Sequence, residues 1–375
     1  MVAAFQELRL GTRGSQLALW QAQTVAACIA RSGGPQSRVV VIKTGGDRLQ
    51  DARLSEVGGK GLFVKEIEEA LLRHEIDLAV HSSKDMPVLL PEGLTIAAVL
   101  PREDPRDAIV LPATVRLKAD TTYEGLKAET THEDRAAPVQ EPESYVVSGF
   151  SRTVVTLEDL LLHLGQSPRI GTGSVRRVAQ LTRLMPGANF GAIRGNLDTR
   201  LRKLDGGEYD ALVLAAAGLR RLGFGSRLSL ALPASACVPA PGQGIVAIEI
   251  RADDDEVRRA VARIDDPAAE AALHAERALV AALGGGCQTP IGALASPVDG
   301  DDLELVAAVV SLDGSRAVRA HARGPRRDAA GLGARVGAQL LAEGADQILL
   351  DARTQTVDSR QSSVDRHRSA SMTDD

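Results

Sequence analysis

Apolar positions along this chain follow two periods in turn. Short β-branched runs alternate with stretches whose apolar residues recur every three or four positions, the pattern of strand–helix units around a mainly parallel sheet. ELRLGT reads as a strand, and SQLALWQAQTVAACIA as a helix with Ser15 as its N-cap. SRVVVIKT is a second strand. GLFVKEIEEALLR is an amphipathic helix with Phe63, Ile67, Ala70 and Leu71 at helical spacing, and DLAVHS and LTIAAVL follow as strands. A second series opens near Asp107 with the strands AIVL and RIGTG, the helix SVRRVAQLTRLM, the strand NFGAIR, the helix NLDTRLRKL and the strand DALVLAAAG.

Pro and Gly then interrupt the pattern. VPAPGQG, residues 238–244, reads as an interdomain hinge. GIVAIEI after it is a strand that either rejoins the first sheet or opens a new one. The helix AAEAALHAERALVAAL, the loop GGGCQTPIG (284–292), the strands LELVAAVVS and AVRAHARG and a terminal helix suffice for a small third α/β unit. From about 113 to 155 the chain is polar and mixed in charge, which predicts a disordered insertion. Its last residues, from 353 to 375, read as a solvated tail.

Composition narrows the function. Aromatic residues make up 2% of the 375, too few for base-stacking platforms, and a net charge of -5 argues against general attraction to nucleic acid. The three cysteines lie far apart, with no disulfide framework and no metal-ligand spacing. No apolar run approaches the ~18 residues of a membrane span. The start, MVAAFQELRL, lacks a basic region followed by an apolar core. A cytoplasmic protein without metal is therefore expected.

Candidate chemistry gathers at predicted strand ends, where open α/β sheets bind ligands and helix N-termini present free N–H groups. GTRGS places Arg13 and Ser15 there, HSSKDMP places His81, Lys84 and Asp85, GTGSVRR places Thr172, Ser174, Arg176 and Arg177, and IRGNLDTRLRK places Arg194 and Arg200. Ser15, Ser174 and Asn196 can be no more than N-caps, and the arginines a solvated helix face. Arginine in a first helical turn opposes the helix dipole, however, so the paired arginines point to an anionic partner bound by bidentate contacts. Asp85, the acid among these basic loops, is either a turn carboxylate or the group that stabilises a cationic intermediate. His81 reads as structural. Lys60, in GGKGLF, is either a loop residue closing over a ligand or a flexible surface lysine. Cys28 reads as core, and Cys237 receives no role. Cys287, exposed on a glycine loop without a histidine base, suits covalent attachment better than a protease-like dyad.

Taken together, RLGTRGSQLALWQA, VGGKGLFVKEIE, DLAVHSSKDMP, REDPRDA, GTGSVRR, IRGNLDTRLRKLDGGEYDALVLAAAGLRRLG, PAPGQG and GGGCQTPIG resemble the porphobilinogen deaminase family, in its order, over roughly residues 8 to 350. That resemblance implies an α/β fold of three domains, two similar to type II periplasmic binding protein lobes and a small C-terminal α/β domain. The divisions it suggests are 5–100 with 245–264, 105–238 including the insertion, and 268–352. It implies a dipyrromethane cofactor on Cys287 through a thioether. Lys84, Asp85, Ser174, Arg176 and Arg177 would contact that cofactor, and Arg13, Ser15, Thr172, Arg194 and Arg200 the substrate porphobilinogen. Lys60 and Phe63 would lie on a flexible loop. Asp85 would be the catalytic aspartate, with Lys84 beside it. A monomer with no nucleic-acid or membrane partner is expected. Two rivals stand beside it: a two-lobed solute-binding protein without catalysis, and a thiol-dependent transferase acting on another anion. In GTGSVRR, Gly173 stands where a second serine is usual, and Ser83 in HSSKD where a larger apolar residue is common.

Deleting residues 113–155 is expected to leave a cooperatively unfolding chain. Loss of the unfolding transition in circular dichroism would contradict the disordered-insertion reading.

Overall fold

In the computed structural model, which describes residues 7–45, 64–115, 156–285 and 289–355, the apolar runs assemble into three separate sheets. The strands are β1 (Leu8–Thr12), β2 (Ser37–Val41), β3 (Leu78–Ser82), β4 (Leu94–Val99), β5 (Asp107–Val110), β6 (Arg169–Gly171), β7 (Asn189–Gly191), β8 (Ala211–Ala215), β9 (Leu230–Ala231), β10 (Val246–Arg251), β11 (Ile291–Pro297), β12 (Asp302–Val310) and β13 (Ala317–Pro325). The first sheet runs β2-β1-β3-β10-β4 and the second β7-β6-β8-β5-β9.

Both orders follow one plan. Three strands pair in parallel, β2-β1-β3 in one lobe and β7-β6-β8 in the other. An antiparallel strand arriving from the opposite lobe is inserted next, β10 in the first and β5 in the second. The chain therefore crosses between the lobes twice, and GIVAIEI rejoins the first sheet. The third sheet, β11-β12-β13, is an antiparallel meander.

The helices are α1 (Gln16–Arg31), α2 (Lys65–Leu72), α3 (Leu157–Leu164), α4 (Val175–Leu184), α5 (Leu197–Asp205), α6 (Ala216–Arg221), α7 (Asp255–Val261), α8 (Pro267–Ala282) and α9 (Ala329–Ala342). α1, α2, α4, α5, α8 and α9 form where the helical period predicts, and several helices begin on a side-chain cap. Ser15 accepts from Ala18 N, Ser174 from Arg177 N and Asn196 from Thr199 N. Such caps are each worth about 1 kcal/mol. The buried face of α1, Ala22, Val25 and Ile29, packs on Leu8, Leu10, Leu78, Val80 and Ile248. Burying each large aliphatic side chain contributes about 1.5–3 kcal/mol. In the third domain α8 and α9 cover one face of the sheet, closing a core around Leu279, Leu305 and Leu332.

Two predicted strands shorten and one strand is added. DALVLAAAG stops as a strand at Ala215, and its alanines start α6 instead, in line with alanine's high helix propensity. NFGAIR shortens to Asn189–Gly191. IGALASP forms β11, an element the sequence pattern did not signal because its residues are mostly small rather than β-branched. Thr156 and Asp159 make a reciprocal capping box for α3, directly after the segment read as an insertion. Most of that segment, and the tail beyond 355, lie outside the described residues. Among the described residues no helix is long and apolar enough to cross a membrane.

Candidate functional site

The two crossings, residues 100–106 and 232–245, bring polar groups of both lobes together around one carboxylate. Asp107, the first residue of β5, is fully buried. It accepts from Arg176 at 2.6 and 3.1 Å, from Arg177 Nε at 2.9 Å, from Gln243 Nε2 at 2.9 Å and from the Cys237 thiol at 3.3 Å. Burial opposes its ionisation, but Arg176 and Arg177 outweigh that and hold the carboxyl well below its ordinary range. The guanidiniums are buried in turn and also donate to the carbonyls of Val238 and Val213. Burial and the Asp107 charge push the Cys237 thiol up to about 12, so it stays a donor. Cys237 thus has a place, one that the linear sequence did not indicate.

Gln243 links this cluster to the first lobe. Its side chain donates to Pro105 O at 2.6 Å as well as to Asp107, and its Oε1 accepts from Lys84 Nζ at 3.5 Å. Gly242 and Gly244 on either side have φ of +72° and +89°. A Cβ at Gly244 would collide with the carbonyl oxygen of Glu103, so only glycine fits where the crossings touch.

Lys84 and the exposed Asp85 lie in the one-turn helix Ser83–Asp85 that ends β3. Burial pushes the Lys84 ammonium down to about 8; Asp85 opposes this and Arg177 adds to it. Arg200, on α5 in the other lobe, donates to Gly195 O at 2.9 Å. Its pKa is lowered by burial, then by Arg177 and Arg194, with Asp85 opposing. Asp85 from one lobe and Arg177, Arg194 and Arg200 from the other therefore share one electrostatic neighbourhood. Among the described residues no carboxylate forms an ion pair with Lys84, Arg194 or Arg200.

Thr172 is buried, its hydroxyl 3.4 Å from Ser174 N, and Arg13 is half-buried where β1 meets α1. Arg221 is a cation that the sequence reading passed over. It lies over the Trp20 ring at 5.6 Å, joining α6 to α1 across the lobes, and donates to Gly244 O at 2.6 Å. Two arginines at the end of a βα unit, GLRRLG, were its signal. His81 is buried with its Nε2 3.0 Å from Glu249 Oε2, a structural pairing as expected. Among the described residues no group of three or more His, Cys, Asp or Glu could hold a metal.

Lys60, Phe63 and Cys287 lie outside the described residues. Both flanks of Cys287 are held, however. Gly285 N donates to Val280 O at the end of α8, and Ala293 N in β11 donates to Pro239 O in the second crossing at 2.9 Å. Glu276 of α8, fully buried, accepts from Arg102 at 2.6 Å, Gly242 N at 2.6 Å and Ala295 N at 2.7 Å. The cysteine loop therefore springs from elements fastened to both crossings. A cofactor bearing several carboxylates fits this donor set, because the unpaired ammonium and guanidinium groups lack the negative charge it would bring.

Two family models match the chain. One, described as the porphobilinogen deaminase dipyromethane cofactor binding domain, matches residues 8–259, and the porphobilinogen deaminase C-terminal domain matches 271–342. The chain is 41% identical over 349 residues to the porphobilinogen deaminase of Geotalea daltonii, covering 93% of this chain and 95% of that one. With that of Syntrophobacter fumaroxidans it is 43% identical over 343 residues, covering 91% and 96%. Among solved structures, the periplasmic VFT2 domain of Bordetella pertussis BvgS is 13% identical with a TM-score of 0.34, covering 69% of this chain and 86% of that one.

Asp107→Ala leaves two guanidiniums buried without their carboxylate and is expected to cost about 3–5 kcal/mol in urea unfolding. A loss under about 1 kcal/mol would contradict the central role given to this residue.

Proposed function

The chain belongs to the porphobilinogen deaminase family, and we propose that the interlobe cluster is its active site. Asp85 is the catalytic carboxylate, Lys84 its neighbouring ammonium and Cys287 the attachment point of the cofactor. The enzyme is a transferase of tetrapyrrole and heme biosynthesis. It condenses porphobilinogen molecules head to tail with loss of ammonia, and hydrolysis then releases hydroxymethylbilane. The dipyrromethane, when bound, supplies the pyrrole ring to which the first substrate unit is joined.

The protein's own groups divide the remaining work. Arg13, Arg194, Arg200 and Lys84 neutralise the acetate and propionate groups that accumulate as pyrroles are added, with Ser15, Thr172 and Ser174 contributing hydroxyls. Arg176 and Arg177 stand against a single carboxylate, Asp107, so the cluster keeps a positive excess that the cofactor's carboxylates meet. Lys60 and Phe63, in the stretch GGKGLF, are assigned to contacts with the bound chain. Asp85 places negative charge where loss of ammonia creates a cation, and where an attacking pyrrole passes through one. Tethering at Cys287 keeps each addition intramolecular. We further propose the division into 5–100 with 245–264, 105–238 and 268–352, and a cytoplasmic monomer whose only partner is this small polyanionic substrate.

One observation carries the reading. The Lys84 and Arg200 charges are disfavoured by burial and by neighbouring cations, and Asp85 opposes that at both. Asp85→Asn is expected to fold normally and to lose about a hundredfold to a thousandfold in turnover, the usual cost of removing one transition-state electrostatic contact. Near-normal turnover in that variant would contradict its role.

A further inference from the structure

Behind the catalytic turn lies a buried cluster of ionisable groups that the reaction does not use. α2 lies on the face of the first sheet beneath Ile67, Ala70 and Leu71, which pack on Ile76, Ala79 and Leu94. The same face carries His81 from β3 and Glu249 from β10. These strands pair His81 with Ala247 and Ala79 with Glu249, so the two side chains are diagonal neighbours. Glu68 lies next to Ile67 and one turn before Leu71 on the helix that packs against β3 and β10, and it is 7% exposed. Glu68 Oε1 and Glu249 Oε1 are both buried without a hydrogen-bond partner among the described residues.

Among the described residues, the cations on the elements packed here are committed elsewhere. Arg251, further along β10, is spent on Leu71 O, Ile76 O and Asp254. Arg9 of β1, the third strand under α2, is committed to Asp77. On α2 itself, Lys65 stands by Glu69 on the exposed side, and Glu66 accepts from Gly45 N. With Glu68 ionised, two carboxylates would face one imidazole in a dry site, which is costly. A proton on Glu68 removes the second charge and supplies a donor where acceptors stand unpaired.

We propose that Glu68 is kept as the neutral acid against the His81–Glu249 pair, and that this cluster is a positioning device. It fastens α2 to the strand whose end carries Lys84 and Asp85. Burial, with Glu249 adding and His81 opposing, raises the Glu68 carboxyl to about 7. As pH rises through that value the proton passes to solvent, a second negative charge appears beside Glu249, and the hold of α2 on β3 slackens. The proposal rests on Lys84 and Asp85 being the catalytic pair, but its spectroscopic consequence does not.

The test uses the cofactor-loaded enzyme in two measurements. Infrared difference spectra of the wild type should show a protonated-carboxyl band at pH 6 that disappears by pH 9 and is missing in Glu68→Gln. The alkaline midpoint of kcat/KM should move in Glu68→Gln from about 7 up to about 8, where Lys84 titrates. Glu249→Gln should move it the opposite way, below 7, because the neighbouring charge that raises Glu68 is gone. Absence of the Glu68 band overturns the proposal, as do superimposable pH profiles or an equal loss of activity at every pH. The band alone, without any shift in profile, leaves Glu68 protonated but refutes the positioning role.

Discussion

The site depends on one buried carboxylate being outnumbered. Asp107 is taken wholly out of water and faces Arg176 and Arg177 at ion-pair distance. Burying three charges is favourable only if they find hydrogen bonds, and here the carboxylate, two carbonyls, a glutamine and a thiol supply most of them, with Arg176 Nε left without a partner among the described residues. Because Asp107 begins the strand that first enters the second lobe, and Gln243 lies on the return crossing, this network fixes both crossings at once. Through Gln243 it also reaches Lys84, so the turn that carries Lys84 and Asp85 is linked to this network.

A second buried acid extends the same device to the C-terminal domain. Glu276 gathers Arg102 from the first crossing, Gly242 from the second and Ala295 from β11. The domains therefore meet at the crossings, where Gly242 and Gly244 allow backbone to approach backbone. Anchoring at the ends of the Cys287 loop, together with glycines within it, suits a tether whose base is fixed while its load lengthens.

Local chemistry was legible in the sequence wherever it was carried by neighbours along the chain. The caps at Ser15, Ser174 and Asn196, the apolar stripes of α1 and α2 and the runs of β3 and β10 all form as their patterns require. What escaped was non-local. Asp107 meets its partners 69, 70 and 136 positions away, and nothing in REDPRDA marks it as the hub. Cys237 drew no role for the same reason, and Arg221 acquires meaning only through Trp20 on the other lobe. The strand read through DALVLAAAG overran because its apolar run continues without a break, whereas alanine's helix propensity starts α6 at Ala216. At GTGSVRR the sequence pointed to an external anion, and within the protein a single carboxylate, Asp107, stands against the two charges of Arg176 and Arg177.

In the proposed function the interlobe cations are a receptor for a polycarboxylate held by Cys287. Intact-mass spectrometry of the purified enzyme tests this most directly. The wild type is predicted to be heavier than its sequence by one dipyrromethane, and Cys287→Ser to have the mass of its bare sequence. An active preparation in which Cys287 is unmodified would contradict the account.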